Sequence, residues 1–152
     1  GYSFRPDSKE DKMKRILFIC KYNAFRSRIA EEYFNKINTN PKIKAYSRGF
    51  IPGADADSIQ KRMVQSLLGV SISKRKPIGM NVEDLKSADL IVVSADDVPK
   101  IMFNYPYVNL KKKMIFWKIK DEQYGKKENI NKIILEIRRR VEQLNKKLEK
   151  EK

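Results

Sequence analysis

Lys14-Arg15-Ile16-Leu17-Phe18-Ile19-Cys20-Lys21-Tyr22-Asn23-Ala24-Phe25-Arg26-Ser27-Arg28-Ile29-Ala30-Glu31 is the stretch that decides the fold. Ile16 to Ile19 is a short, unbroken apolar run of the kind a strand shows when both of its faces are covered. From Arg28 to Ile37 the pattern changes to helical spacing, with Ile29, Ala30, Tyr33, Phe34 and Ile37 on one stripe. A strand, a tight polar loop and a helix therefore follow one another within two dozen residues. The sole cysteine stands where the strand ends.

Working outward, Asn38-Thr39-Asn40-Pro41 stops the helix, and Ile43 to Ser47 reads as a second strand closed by Gly49 and the Pro52-Gly53 turn. Asp57 to Leu68 returns to helix, with Ile59, Met63, Val64, Leu67 and Leu68 expected inward and Gly69 as the stop. Val82 to Lys86 predicts a brief helix, and Ala88 to Ser94 a central strand. Asp96 to Phe103 is expected to be a short helix with Pro99 in its first turn. Met114 to Trp117 supplies a fourth strand. Asn129 to Leu148 is a long amphipathic helix, with Ile130, Ile133, Ile134, Ile137, Val141, Leu144 and Leu148 on one face. Strands alternating with helices imply βαβ units. The expected architecture is a single α/β domain over residues 13–152: a doubly wound, four-stranded parallel sheet flanked by helices, its ligand beyond the carboxyl ends of the strands. Residues 1–12 are polar and are expected to be a disordered extension or an expression scar, a native basic arm being the alternative.

Composition narrows the chemistry. The chain has 152 residues, 41% of them hydrophobic, which is enough for a core and excludes a wholly disordered basic tail. One cysteine excludes an internal disulfide framework and any multi-cysteine metal site, and the absence of histidine removes Ser-His-Asp and Cys-His catalysis and histidine-ligated metals. No cofactor and no metal are expected. Catalysis, if any, falls to Cys, Asp, Glu, Lys, Arg, Tyr and the backbone.

Cys20 lies at the carboxyl end of a buried strand and just before a helix, where N–H groups and the helix dipole converge on an anion. The same field favours thiolate over thiol. Arg26 is placed to set a planar guanidinium against two oxygens of a bound phosphate. The alternative for Cys20 is a buried core cysteine, the usual fate of a free one. Its position between strand and helix favours a catalytic phosphate loop.

From Met13 to Leu148 the chain resembles the low-molecular-weight protein tyrosine phosphatases, whose fold the thioredoxin-coupled arsenate reductases share. The resemblance rests on an apolar strand, the Cys-x5-Arg-Ser of Cys20 to Ser27, Asn23, and the Ala30-Glu31 that continues the helix. Ser47-Arg48-Gly49 is similar to the family's Ser-Ala-Gly, and Trp117 to Gly125 to the stretch bearing its catalytic aspartate. The departures are also specific. Tyr22 stands where many relatives have glycine, so it either crowds the pocket or forms part of its wall. Phe25 replaces a second cysteine and rules out a protective internal disulfide. Asp-Pro-Tyr-Tyr-Gly becomes Asp121-Glu122-Gln123-Tyr124-Gly125, which removes a proline and one of two aromatic walls.

The resemblance implies that Cys20 attacks phosphorus and forms a cysteinyl-phosphate. Arg26 and the backbone of Lys21, Tyr22, Asn23, Ala24 and Phe25 would hold the phosphoryl oxygens. Ser27 would donate to the thiolate, and Asn23 would keep the loop in its anion-ready shape through Ser47. Asp121 would protonate the leaving oxygen and later activate water, and Tyr124 would be a wall for the substrate, its alternative being a tyrosine packed under the last helix. Glu122 is the substitute acid if the loop is shifted. Asp96 and Asp97 also follow a strand and are further alternatives for the acid, although helix capping accounts for them, and Asp89 lies at the wrong end of its strand. Trp117 and Phe116 are read as core.

The formal charge is +15, from 34 Lys and Arg against 19 Asp and Glu. Lys111-Lys112-Lys113 and Arg138-Arg139-Arg140 read as solvated faces and not as a nucleic-acid surface. The expected partner is a phosphotyrosine protein or a small aryl phosphate, with inorganic phosphate as product. A cytoplasmic monomer with no nucleic acid and no membrane is expected. An arsenate reductase using an external thiol, or a catalytically silent phosphate- or phosphopeptide-binding module, are the competing readings.

Overall fold

The structure, a computed structural model, describes residues 13–103, 110–122 and 124–151; the extension at 1–12 and Gln123 lie outside these. The elements run β1 (Lys14–Cys20), α1 (Arg26–Ile37), β2 (Ile43–Gly49), α2 (Ser58–Leu68), α3 (Val82–Ser87), β3 (Leu90–Val93), β4 (Met114–Phe116) and α4 (Lys127–Lys150), with 3-10 turns at Lys100–Phe103 and Leu110–Lys113. All four strands are parallel in the order β2-β1-β3-β4. Cys20 is paired with Gly49, and Ile19 with Val93. The doubly wound parallel sheet read from the sequence is the one observed.

The buried runs cause this arrangement. Ile16 to Ile19 and Leu90 to Val93 are fully buried and send alternate side chains to opposite faces. Ile16, Phe18, Leu90 and Val92 join a core with α1, α2 and α4. Leu17, Ile19, Ile91 and Val93 join a second core with Leu85, Val98 and Phe103. On α4 the seven residues of the expected apolar face are all buried. Trp117 is buried against Phe18, with ring centroids 5.8 Å apart.

Two expectations need correction. Asp96 to Phe103 is not a helix from its start: only Lys100–Phe103 forms a 3-10 turn, and neither aspartate before it accepts a capping bond among the described residues. Ile59 does not face inward but is 37% exposed. Val64 and Leu68 are the buried residues of α2, and Ile59, five residues before Val64, lies about 140° away around the helix.

The chain passes from β1 to β2 on one side and returns to β3 on the other. The order of connection therefore reverses between β1 and β3, and a crevice opens beyond their carboxyl ends. Cys20 is the last residue of β1 and sits in that crevice.

Candidate active site

The loop from Cys20 to Arg26 is held from outside rather than by itself. Phe50 N–H donates to Cys20 O at 2.8 Å, Ile51 N–H to Lys21 O at 3.0 Å, and Gly53 N–H to Tyr22 O at 3.2 Å. The loop's carbonyls thus turn outward to the 50–53 segment. The N–H groups of Tyr22, Asn23, Ala24 and Phe25 donate to no acceptor among the described residues. Gly49 makes this closeness possible: a Cβ there would stand 2.6 Å from Tyr22 C and 2.7 Å from Asn23 N. Helix α1 begins at Arg26 with Phe25 as its N-cap, without a side-chain cap and without an acidic residue in its first turn. Its positive end is therefore left for an anion.

Asn23 is the one non-glycine described residue with positive φ, at 57°, a conformation asparagine tolerates better than most residues. It is fully buried and tied down on every side. Its Nδ2 donates to Ser27 Oγ and to Ser47 Oγ, both at 2.9 Å, while its Oδ1 accepts from Ile78 N–H and Arg75. Ser27 Oγ lies 3.0 Å from Cys20 Sγ. Asn23 is thus bonded to Ser47, and Ser27 stands beside the sulfur.

Arg26 is buried, and its guanidinium is fixed by partners far along the chain. Nη1 donates to Ile119 O at 2.8 Å, and Nη2 to both oxygens of Asp97 at 2.9 and 3.0 Å. Asp96 lies 3.8 Å away. Asp97 is thus the carboxylate that orients Arg26, which replaces its reading as a helix cap and sets it apart from the search for a proton donor. Asp89 accepts from Arg15 N–H at the opposite end of the sheet.

Cys20, Tyr22, Ala24, Phe25, Arg26 and Asp121 line one cleft together with Asp55, Ala56, Gln60 and Glu122. Tyr22 does not fill the cleft: its ring leans against Gly53, is 36% exposed and carries Lys21 Nζ 5.1 Å from its centroid. It is a wall of the cleft, and Lys21 is not among the residues that line it. Tyr124 is not brought to the cleft; at 82% exposure it neither lines the pocket nor packs under α4. Glu122 faces a different task from the one weighed for it. It accepts N–H bonds from Tyr124 and Lys126 at the start of α4, and these, with Asn129, hold its carboxyl below the usual range and keep it ionised. Asp121 is therefore the carboxyl at the cleft without such a duty, apart from accepting Glu122 N–H at 2.9 Å.

Four charged residues near the loop were given no role by the sequence reading. Arg75 and Glu31 complete the cluster behind the loop. Buried Arg28 pairs with Asp55 at 3.0 Å. Burial pushes the Asp55 carboxyl up, but bonds from Lys61 and Ala56 N–H, together with Arg28, hold it lower overall. Only Glu31 had a signal, as the residue after Ala30 in the helix.

Among the described residues no helix is long and apolar enough to cross a membrane, and no cluster of three metal-ligating side chains occurs. No curated protein matches the chain. Solved structures do. A low-molecular-weight protein tyrosine phosphatase from T. tengcongensis is 26% identical, with a TM-score of 0.77 over 89% of this chain and 99% of its own. The YwlE arginine phosphatase of Geobacillus stearothermophilus is 20% identical, with a TM-score of 0.79 over 91% and 94%. An arsenate reductase in the phosphate-binding state is 22% identical, with a TM-score of 0.73 over 90% and 99%. The last two likenesses concern the fold. The profile of the low molecular weight phosphotyrosine protein phosphatases matches residues 15–152, nearly the whole length, and the chain belongs to that family.

Proposed function

We propose that the protein is a cysteine-dependent phosphomonoester hydrolase acting on phosphotyrosine or comparable aryl phosphates. The observation that supports the reading is that Cys20, Arg26 and Asp121 line one cleft, beside a loop whose Tyr22 to Phe25 N–H groups are unengaged among the described residues. In the first step Cys20 attacks phosphorus in line while the bond to the leaving oxygen breaks and Asp121 gives that oxygen its proton. The N–H groups and Arg26 hold the equatorial oxygens as their charge grows. In the second step Asp121, now a carboxylate, takes a proton from water as the water attacks the cysteinyl-phosphate. Inorganic phosphate leaves and the thiolate returns. Tyr22 supports an aryl substrate as the cleft's exposed aromatic wall.

The test is hydrolysis of p-nitrophenyl phosphate, present in the native protein and absent in Cys20→Ser at equal melting temperature. A folded protein with no turnover from pH 5 to 8 overturns the reading and leaves a phosphate-binding module. A second substrate class is favoured by one observation: Asp55, Asp121 and Glu122 give the cleft three carboxylates in its lining, which suits a phosphorylated guanidinium of the kind an arginine phosphatase accepts. Parallel assays with phosphoarginine and phosphotyrosine peptides decide between them. The arsenate-reductase reading requires an external thiol, and arsenate-dependent thiol oxidation tests it.

A further inference from the structure

The cluster behind the loop has a direction, which follows from which groups can donate. Arg75 spreads its guanidinium over five acceptors. Nη1 reaches Asn23 Oδ1 at 2.8 Å and Lys76 O at 3.0 Å, while Nη2 reaches Glu31 at 2.9 Å, Ser47 Oγ at 2.9 Å and Ser47 O at 3.1 Å. Guanidinium N–H groups only donate, and so does Ile78 N–H, which points at the same Asn23 atom from 3.0 Å. The amide oxygen of Asn23 must therefore face Arg75, and its NH2 must face the two serines. Ser47 accepts from that NH2 and from Arg75, so its own proton goes to Glu31, 2.5 Å away. Ser27 accepts from the same NH2, and its hydroxyl proton has one partner left, Cys20 Sγ. Ser27 is fully buried, so any other orientation leaves a buried O–H without an acceptor.

We propose that Arg75 is a positioning residue for Cys20: by fixing the Asn23 amide it aims the Ser27 proton at the sulfur and so favours the thiolate. The inference deepens the phosphatase reading, because it concerns the nucleophile assigned there. A purely structural Arg75, stapling the 70–80 segment to the sheet, would change melting temperature without changing the state of the sulfur.

The experiment needs no substrate. Iodoacetamide alkylation of the single cysteine, followed by intact mass, is measured against pH for the native protein, Arg75→Gln, Ser27→Ala and the double variant. Hydrogen bonds that favour the charged form set where the curve rises. Arg75→Gln and Ser27→Ala are each expected to move the curve to higher pH and to slow alkylation about tenfold on its acidic side. The double variant is expected to move no further than Ser27→Ala alone, because Arg75 acts through Ser27. An unmoved curve in Arg75→Gln, or two effects that add in full, overturns the inference. Should Arg75→Gln lose its cooperative melt, Arg75→Lys, which keeps the charge but not the fork that reaches Asn23 and Ser47 together, takes its place in the same cycle, with a shift in the same direction expected and the same results counting against it. A native protein that alkylates readily but hydrolyses no phosphomonoester overturns the phosphatase reading alone; normal turnover with an unmoved curve overturns this inference alone.

Discussion

Helices α2 and α3 solve the problem of their free N–H groups with their own side chains, and α1 does not. Asp57 and Gln60 form a reciprocal capping box on α2, and Asn81 and Asp84 form one on α3. At α1 the capping position is Phe25, a buried aromatic whose side chain offers no acceptor. The body of α1 is meanwhile firmly held: Tyr33 donates to Glu142 on α4 at 2.6 Å, and Asn35 is bonded to both backbone groups of Ala45 on β2. The open end of α1 is therefore not a frayed end. A rigid helix with an unfilled N-terminus behind Cys20 suits the anion site proposed above, and a capped helix nearby suits scaffold.

The largest effects should come from substitutions at the open end. Arg26→Lys replaces a fork held by Asp97 and Ile119 with a point charge, and kcat is expected to fall by about a thousandfold. Near-normal rates would make Arg26 structural and break the comparison. Next in size is Asp121→Asn. Phosphorylation of the enzyme by phenyl phosphate should slow by about a hundredfold, and by p-nitrophenyl phosphate much less, because the better leaving group needs no proton. Pre-steady-state bursts measure this step, and equal slowing for both esters would remove Asp121 as the acid.

The scaffold end should respond oppositely. Asn81→Ala removes a cap of α3 and is expected to cost about 1 kcal/mol in denaturant unfolding with turnover unchanged. The smallest effect sharpens the comparison at the body of α1. Burial, and then the bond to Glu142, push Tyr33 up to about 12 from an ordinary 10.0. The folded state thus holds a proton that the unfolded chain releases earlier. This contribution is complete below pH 10 and is lost as the pH rises toward 12. Tyr33→Phe should show a shallower loss of stability across that interval, and an unchanged slope would sever Tyr33 from it.

How much of this was legible in the sequence depends on the range of each interaction. Ile16 to Ile19, the stripe of α1 and the apolar face of α4 are local patterns, and they gave the sheet and its covering helices. The loop was legible because its residues are adjacent in sequence. Asp97 and Arg75 were not, since they meet Arg26 and Asn23 across 71 and 52 residues, and no periodicity connects such pairs. Asp97 was misread because an aspartate before an apolar segment looks like a cap, whereas here a buried guanidinium claims it. Tyr124 was misplaced because resemblance carries over a residue's type and not the direction of a loop that has lost its proline.

The sheet order also fixes when the site is completed as the chain leaves the ribosome. The β1-α1-β2 unit emerges first and brings Cys20, Asn23, Ser27 and Ser47 with it. The carbonyl and carboxylate that orient Arg26 follow 93 and 71 residues after it. A nascent chain stalled before β3 would therefore expose the cysteine and its loop while lacking the partners that aim the guanidinium. The orientation of Arg26 is thus completed late in biogenesis, after the strand that closes the other side of β1.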